Sequence, residues 1–198
     1  MSFFNPTMGD MSLRDKILNT ILSKILPYRD IAKFVTLPDG DKSMRKVIYL
    51  RRYFIKRTGK FKCFLHFFNR GDDDPDLHDH PWPFTTIPLT GGYLEETFFI
   101  ARAAERKDYE NNSLKKYGMP MVGEWSTKLD YVKPRRLHRR SADHAHRVHL
   151  IADKPVWTLV FPGAKERDWG FLPKTGGWID WRTYLGLPAD TKDQPEDL

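Results

Sequence analysis

The sequence predicts an all-β fold, a sandwich or barrel of short strands led by one amphipathic helix. Three observations predict it. Short runs of β-branched and aromatic residues recur along the chain, separated by turn residues at fairly regular spacing. Aromatic residues make up 14% of the chain, with 6 Trp, 8 Tyr and 13 Phe, which favours strands and a lined pocket over a helical bundle. Turn formers are plentiful, at 14 Pro and 13 Gly.

Each element follows in order. Residues 1–11 carry no periodic pattern. Ser12 opens a helix in which Leu13, Ile17, Ile21, Leu22, Ile25 and Leu26 recur at helical spacing. Ser12 can cap it, Asp15 stands where a capping box has its acid, and Pro27 ends it. Pro38 to Asp41 reads as a turn. Lys46 to Arg57 reads as one or two strands, Phe61 to Phe68 as another, and Gly71 to Pro75 as an acidic loop. Phe84–Leu89 and Tyr93–Ile100 are strands joined through Gly91-Gly92. Residues 102–128 are polar and irregular, a loop or lid. Leu129–Val132, His144–Ile151, Pro155–Phe161 and Arg167–Phe171 are further strands, and Trp178–Leu185 is a short closing helix. The expected organisation is a helical segment over 1–44, a barrel over 45–185 and a mobile acidic tail over 186–198.

The chain of 198 residues suits one domain with a real core. Cys63 is the single cysteine, so neither an internal disulfide nor a cysteine-based zinc site can form. It lies in an apolar run and reads as a buried structural thiol. Charged residues interrupt every apolar stretch near the N-terminus, and no window reaches the roughly 20 apolar residues of a membrane span. The expectation is a cytoplasmic protein without a membrane partner. The net charge is +7, with basic residues crowded over 45–62 and 133–140. Such a field attracts anions; solvated strand faces explain the same residues equally simply.

The chemistry concentrates in the seven histidines. His78 and His80 flank Asp79, and on a strand such a pair points to one face. Two imidazoles so placed can share one metal ion. His144 and His146 form a second pair, followed by the apolar Val148 and Leu150 on the same face. That face turns inward, so either His144 or His146 is a ligand candidate, and His149 points the other way.

The stretch from Gly71 through His78-Asp79-His80 to Gly91-Gly92-Tyr93 resembles the first motif of the cupin superfamily. Val132 to Leu150, with Pro134 and His146-Arg147-Val148, is similar to the second. Trp157 to Phe171 is similar to a segment of bacterial and phage cupin-like proteins of unassigned role. The resemblance implies a cupin-type double-stranded β-helix, a jelly-roll barrel, with the leading helix packed on it or on a second copy. It implies a metal on His78, His80 and His146, with His144 as the alternative ligand. The glutamate that usually follows the second histidine is replaced by Phe84 and Thr85; Glu95 or Glu96 could lean in. Cupin thiol dioxygenases work with three histidines and no carboxylate. Fe(II) is the favoured ion, with Mn, Ni or Zn as alternatives.

The expected function is therefore a metal-dependent dioxygenase, or related oxidoreductase, acting on a small anionic molecule. Arg147, Arg135, Arg136 or Arg139 could hold its charge, and Trp82, Phe84, Tyr93 and Trp157 could wall the pocket. The competing readings are a ligand-binding or sensing cupin without turnover, a metal-free sugar epimerase or isomerase using a histidine with a tyrosine, and a nucleic-acid-associated protein, which the charge suggests but no recognised module supports. A homodimer fits the leading helix.

Overall fold

The computed structural model describes residues 11–36, 44–58, 61–72, 74–100, 125–174 and 177–191. The expected turn at Pro38 to Asp41, the polar stretch over 101–124 and the end of the tail lie outside the described residues.

Ser12 caps helix α1 (Leu13–Ile25). Its Oγ accepts the Asp15 amide at 3.2 Å and donates to the Asp15 carboxylate at 2.6 Å, which realises the expected cap with aspartate as its acid. The helix has two apolar faces rather than the single stripe its periodicity suggests. Leu18, Leu22 and Leu26 pack with Met11 against Tyr53, Phe67 and Trp157. Leu13, Ile17, Ile21 and Ile25 remain exposed.

Among the described residues twelve strands follow: β1 (Tyr28–Thr36), β2 (Met44–Thr58), β3 (Phe61–Phe68), β4 (Leu77–His78), β5 (Phe84–Pro88), β6 (Tyr93–Ile100), β7 (Trp125–Val132), β8 (His138–Arg140), β9 (His146–Leu150), β10 (Val156–Pro162), β11 (Gly170–Leu172) and β12 (Ile179–Asp180). Helix α2 (Trp181–Tyr184) closes the described chain. The pairing is nested: β3 with β10, β4 with β9, β5 with β8 and β6 with β7, all antiparallel. That nesting lays down β3-β10-β5-β8 in one sheet and β4-β9-β6-β7 in the other, the jelly roll of two Greek keys that cupins share with other families. β1 and β2 extend the first sheet beside β3, and β11 and β12 extend the second beside β4.

One expectation is refined and two are corrected. The expected jelly roll is present among the described residues as two six-stranded sheets that are not closed into one barrel. Residues 28–36 and 138–140, which alternation did not mark, are strands, and β7 begins at Trp125 inside the stretch expected to be irregular. β4 ends at His78 and β9 begins at His146, so neither His80 nor His144 lies on a strand.

The first sheet is buried on both faces around β3. Phe64, His66 and Phe68 line an interior cavity between the sheets, while Phe67 and the partly buried Leu65 belong to the cluster under α1. Polar bonds pin that helix. Tyr53 donates to Asn19 Oδ1 at 2.7 Å, and Trp157 Nε1 donates to Asp15 Oδ1 at 2.8 Å. Arg51 grips Asp30 through two bonds of 2.5 and 2.7 Å, which ties β1 to β2. Cys63 is buried, as its apolar run suggests.

The end of the second sheet is closely packed. A Cβ on Gly170 would stand 2.1 Å from the Ile179 carbonyl oxygen and 2.7 Å from the Trp178 ring. Gly170→Ala is therefore expected to destabilise the fold by about 1–3 kcal/mol, seen as a lower thermal midpoint. An unchanged midpoint would mean that the β11–β12 pair shifts freely.

Candidate metal centre

β4 and β9 meet at one rung, where His78 stands opposite His146. Both rings are buried. His80 joins them from just beyond β4. Its Nε2 lies 2.9 Å from His146 Nε2. Ligand atoms of His78, His80 and His146 all fall within 4.8 Å of one another. The His78 ring centre lies 5.2 Å from that of His80 and 5.1 Å from that of His146.

Strand alternation alone does not bring His80 here, because the strand has stopped. Asp79 does the work. It faces away from the histidines, where its Oδ1 accepts the Gly170 amide at 2.7 Å. Its Oδ2 accepts Trp178 Nε1 at 2.9 Å and pairs with Arg167 at 2.6 Å. Burial pushes the Asp79 pKa up to about 6, against the pull of Arg167, the Gly170 amide, His80 and Trp178. At neutral pH the carboxylate is ionised and anchored, and its neighbours on either side are held toward the cavity.

Glu95 stands on the far side of His146. Its Oε1 accepts His146 Nδ1 at 2.7 Å and lies 3.5 Å from His144 Nε2. Arg140 reaches the same carboxylate through Nε at 3.0 Å and through Nη2. Burial would raise the Glu95 pKa. The nearby His144 and His146 rings and the Arg140 bonds override it and hold the carboxyl far below its usual range. Burial likewise lowers the His146 pKa, even beside Glu95. The ring is thus neutral, with its proton on Nδ1 toward Glu95 and its lone pair on Nε2 toward His80.

The expected site residues divide accordingly. His78, His80 and His146 converge. Trp82, Phe84 and Tyr93 line the same cavity. Glu95 sits behind His146 instead of lining the cavity, and the His144 ring stands beside both, 5.4 Å from the His146 ring centre and with Nε2 3.5 Å from Glu95 Oε1. Two expected pocket residues turn elsewhere. Arg147 pairs with Glu96 at 2.5 Å and donates to the Asp74 carbonyl at 2.7 Å, on the outer face where His149 also meets Glu96 at 2.7 Å. Trp157 faces α1, because its neighbours Thr158 and Val160 take the inward positions of β10. Arg135, Arg136 and Arg139 are exposed.

Residues that sequence reasoning did not single out complete the cavity. Arg52, His66, Asp72 and Thr158 line it, and each is buried. His66 carried a signal, since it alternates with Phe64 and Phe68. Arg52 was hidden in a basic run that reads as a solvated face.

The three histidines fit a divalent ion. Two nitrogen ligands at roughly 2.0–2.1 Å in adjacent positions of an octahedron stand about 2.9 Å apart, which matches the His80–His146 separation. A carboxylate on the remote nitrogen of a ligating histidine is the usual means of fixing its tautomer and orientation, and Glu95 occupies that place.

No family model matches the sequence, and no curated protein does. Among solved structures, the Fe(II) form of HppE is similar at 9% identity over 70% of this chain, with a TM-score of 0.41. The chain spans 57% of the length of that protein. A cupin domain from Bordetella pertussis Tohama I matches at 12% identity over 57% of this chain and 91% of its own, with a TM-score of 0.37. The DMSP lyase DddQ from Ruegeria pomeroyi DSS-3 matches at 13% identity over 76% and 62%, with a TM-score of 0.42.

The Glu95 cluster makes a prediction of its own. Glu95→Gln keeps the shape but removes the charge shared by Arg140 and His146, and is expected to cost roughly 3 kcal/mol near neutral pH in urea unfolding. Because the Glu95 pKa is depressed on folding, its contribution is present above the ordinary carboxylate value of 4.5 and is lost as pH falls below it. The gap between wild type and variant should therefore close in acid. A gap that stays constant would show that the carboxylate charge is not what stabilises the cluster.

Proposed function

We propose that this cupin-fold chain binds a divalent metal on His78, His80 and His146 and acts on a small anionic substrate, with Fe(II)-dependent oxidation as the reaction class. The observation that carries the reading is the convergence of three ring nitrogens within 4.8 Å at the wall of an interior cavity, with one of the rings oriented by Glu95.

The cavity measures about 70 Å³, several times the roughly 10–15 Å³ that one water needs. It therefore suits a molecule of a few heavy atoms. Three neutral imidazoles leave a divalent ion its full charge and open positions, from which it supplies Lewis acidity and, as iron, one-electron chemistry. The chain's own residues do the rest. Glu95 keeps the His146 proton on Nδ1, so that Nε2 stays a donor of its lone pair. Phe84 packs on His80, with ring centres 4.7 Å apart, and with Trp82, Phe64 and Val160 gives the cavity an apolar wall that limits water. Tyr93 is buried, and that burial raises its pKa, which keeps the phenol protonated as a hydrogen-bond donor rather than a base. This protonated state weighs against the epimerase reading, in which tyrosine titrates.

Elemental analysis of untagged protein tests the proposal. The expected result is one iron or other divalent ion per chain, lost in His78→Ala, His80→Ala and His146→Ala variants that keep wild-type circular dichroism. Wild-type protein that stays free of metal after anaerobic loading with Fe(II), Mn(II), Ni(II) and Zn(II) would overturn it. Bound metal without oxygen uptake across a panel of small acids would leave the centre and favour the ligand-binding reading.

A further inference from the structure

We propose that helix α1 is a lipid-contact element, which lays its outer ridge on the surface of a bilayer containing anionic lipids. The contact is peripheral, since no described helix is long and apolar enough to cross a membrane. It also stands apart from the metal centre. The helix covers the outer face of the first sheet, where Phe67 and Trp157 lie, and the histidines line the cavity on the inner side.

The helix is apolar twice over. Leu18, Leu22 and Leu26 dock on the sheet. Leu13, Ile17, Ile21 and Ile25 recur at every fourth residue and so form a second ridge. They stand 74%, 50%, 50% and 66% exposed. A helix solvated on that side would carry polar residues there. A continuous row of large aliphatic side chains open to water marks a surface made for contact.

Charge decides between the possible occupants. Arg14 stands at the start of the ridge, Lys24 at its end and Lys16 beside it, all exposed. The one acid of the helix, Asp15, is engaged on the protein side, where its carboxylate accepts Ser12 Oγ at 2.6 Å and Trp157 Nε1 at 2.8 Å. None of the three cations forms an ion pair among the described residues. A second copy laid antiparallel on this ridge would set the Arg14 end of each helix against the Lys24 end of the other, cation to cation with no acid between. A nucleic acid would use the cations and leave the aliphatic ridge in water. An anionic bilayer takes both: the ridge sinks below the headgroups, while the flanking cations, on long flexible stems, stay level with the phosphates.

The adjoining surface extends the contact. An open hollow at the start of the helix is lined by Arg14, Gly91, Ile151 and Lys154. Ile151 and Lys154 are exposed, as is Asp153 between them. Asp153 offsets Lys154, so what this turn adds is the aliphatic side chain of Ile151.

The test is co-sedimentation of the full chain with vesicles of phosphatidylcholine alone and of phosphatidylcholine mixed with phosphatidylserine at about one part in three. Wild type should bind the mixed vesicles at least about tenfold more tightly than the neutral ones, and the binding should weaken as salt screens the charges. Arg14→Gln and Lys24→Gln should each weaken it about fivefold. Ile17→Ser combined with Ile21→Ser should weaken it at least about tenfold. Both side chains already stand in water, so the thermal midpoint of that variant should match wild type. Ile21→Cys labelled with a polarity-sensitive dye reports on depth, because Cys63 is buried away from the reagent; its emission should shift to the blue on mixed vesicles. Absence of binding to mixed vesicles at low salt would overturn the proposal. Binding that ignores the isoleucine changes, or a dye that reports water throughout, would overturn it too, as would equal, isoleucine-independent binding to a DNA oligonucleotide. A wild-type dimer that the isoleucine changes convert to a monomer, without vesicle binding, would give the ridge to a second copy instead.

Discussion

A single buried carboxylate organises the centre. Glu95 is 2% exposed, and an isolated ion at that depth would be strongly disfavoured. Its partners come from different places in the fold. Arg140 belongs to β8, in the first sheet, while His146 shares the second sheet with Glu95. The Glu95–Arg140 pair is therefore a clasp between the sheets. The same carboxylate that closes the sandwich also sets the tautomer of His146, so the stability of this edge and the readiness of the histidine are one arrangement.

Asp79 plays the matching part at the opposite strand. It lies between His78 and His80, and its bonds to Gly170, Trp178 and Arg167 fasten the end of β4 to β11 and the loop before it. The two histidines face the cavity because the residue between them faces the other way and cannot leave. A carboxylate behind each half of the centre thus orients the rings. This division explains how a site without the expected downstream glutamate can still be rigid: the acids supply orientation from outside.

Much of this was legible in the sequence. Phe61–Phe68 forms a strand over those same residues, Ser12 caps its helix, and the alternation around His146 put Val148 inward and His149 outward. The His-x-His spacing and the inward face of β9 are local features that marked His78, His80 and either His144 or His146, and the motif resemblance then singled out His146. What local pattern could not supply was register. Alternation sorts a strand into two faces without saying which is interior, and so Trp157 was assigned to the pocket when Thr158 holds that side. Arg147 alternates with Val148, an outward position that its Glu96 partner confirms. Arg52 looked like one basic residue among many, because only the pairing of β2 with β3 shows that it shares a row with His66. Glu95 looked like a spare ligand, because its distance from His146 depends on the β6–β9 register.

The charge of the cavity follows from these placements. Glu95 is neutralised by Arg140, so it offers no net negative charge to an ion held by the histidines. The imidazoles of His78, His80 and His146 add nothing while neutral. A divalent ion would therefore carry its charge into an apolar space of low dielectric, where an unbalanced charge is costly. The most direct compensation is an anion that enters with the substrate. An anionic substrate would bring that charge into the same cavity, and so would complete the electrostatics that the missing glutamate leaves open.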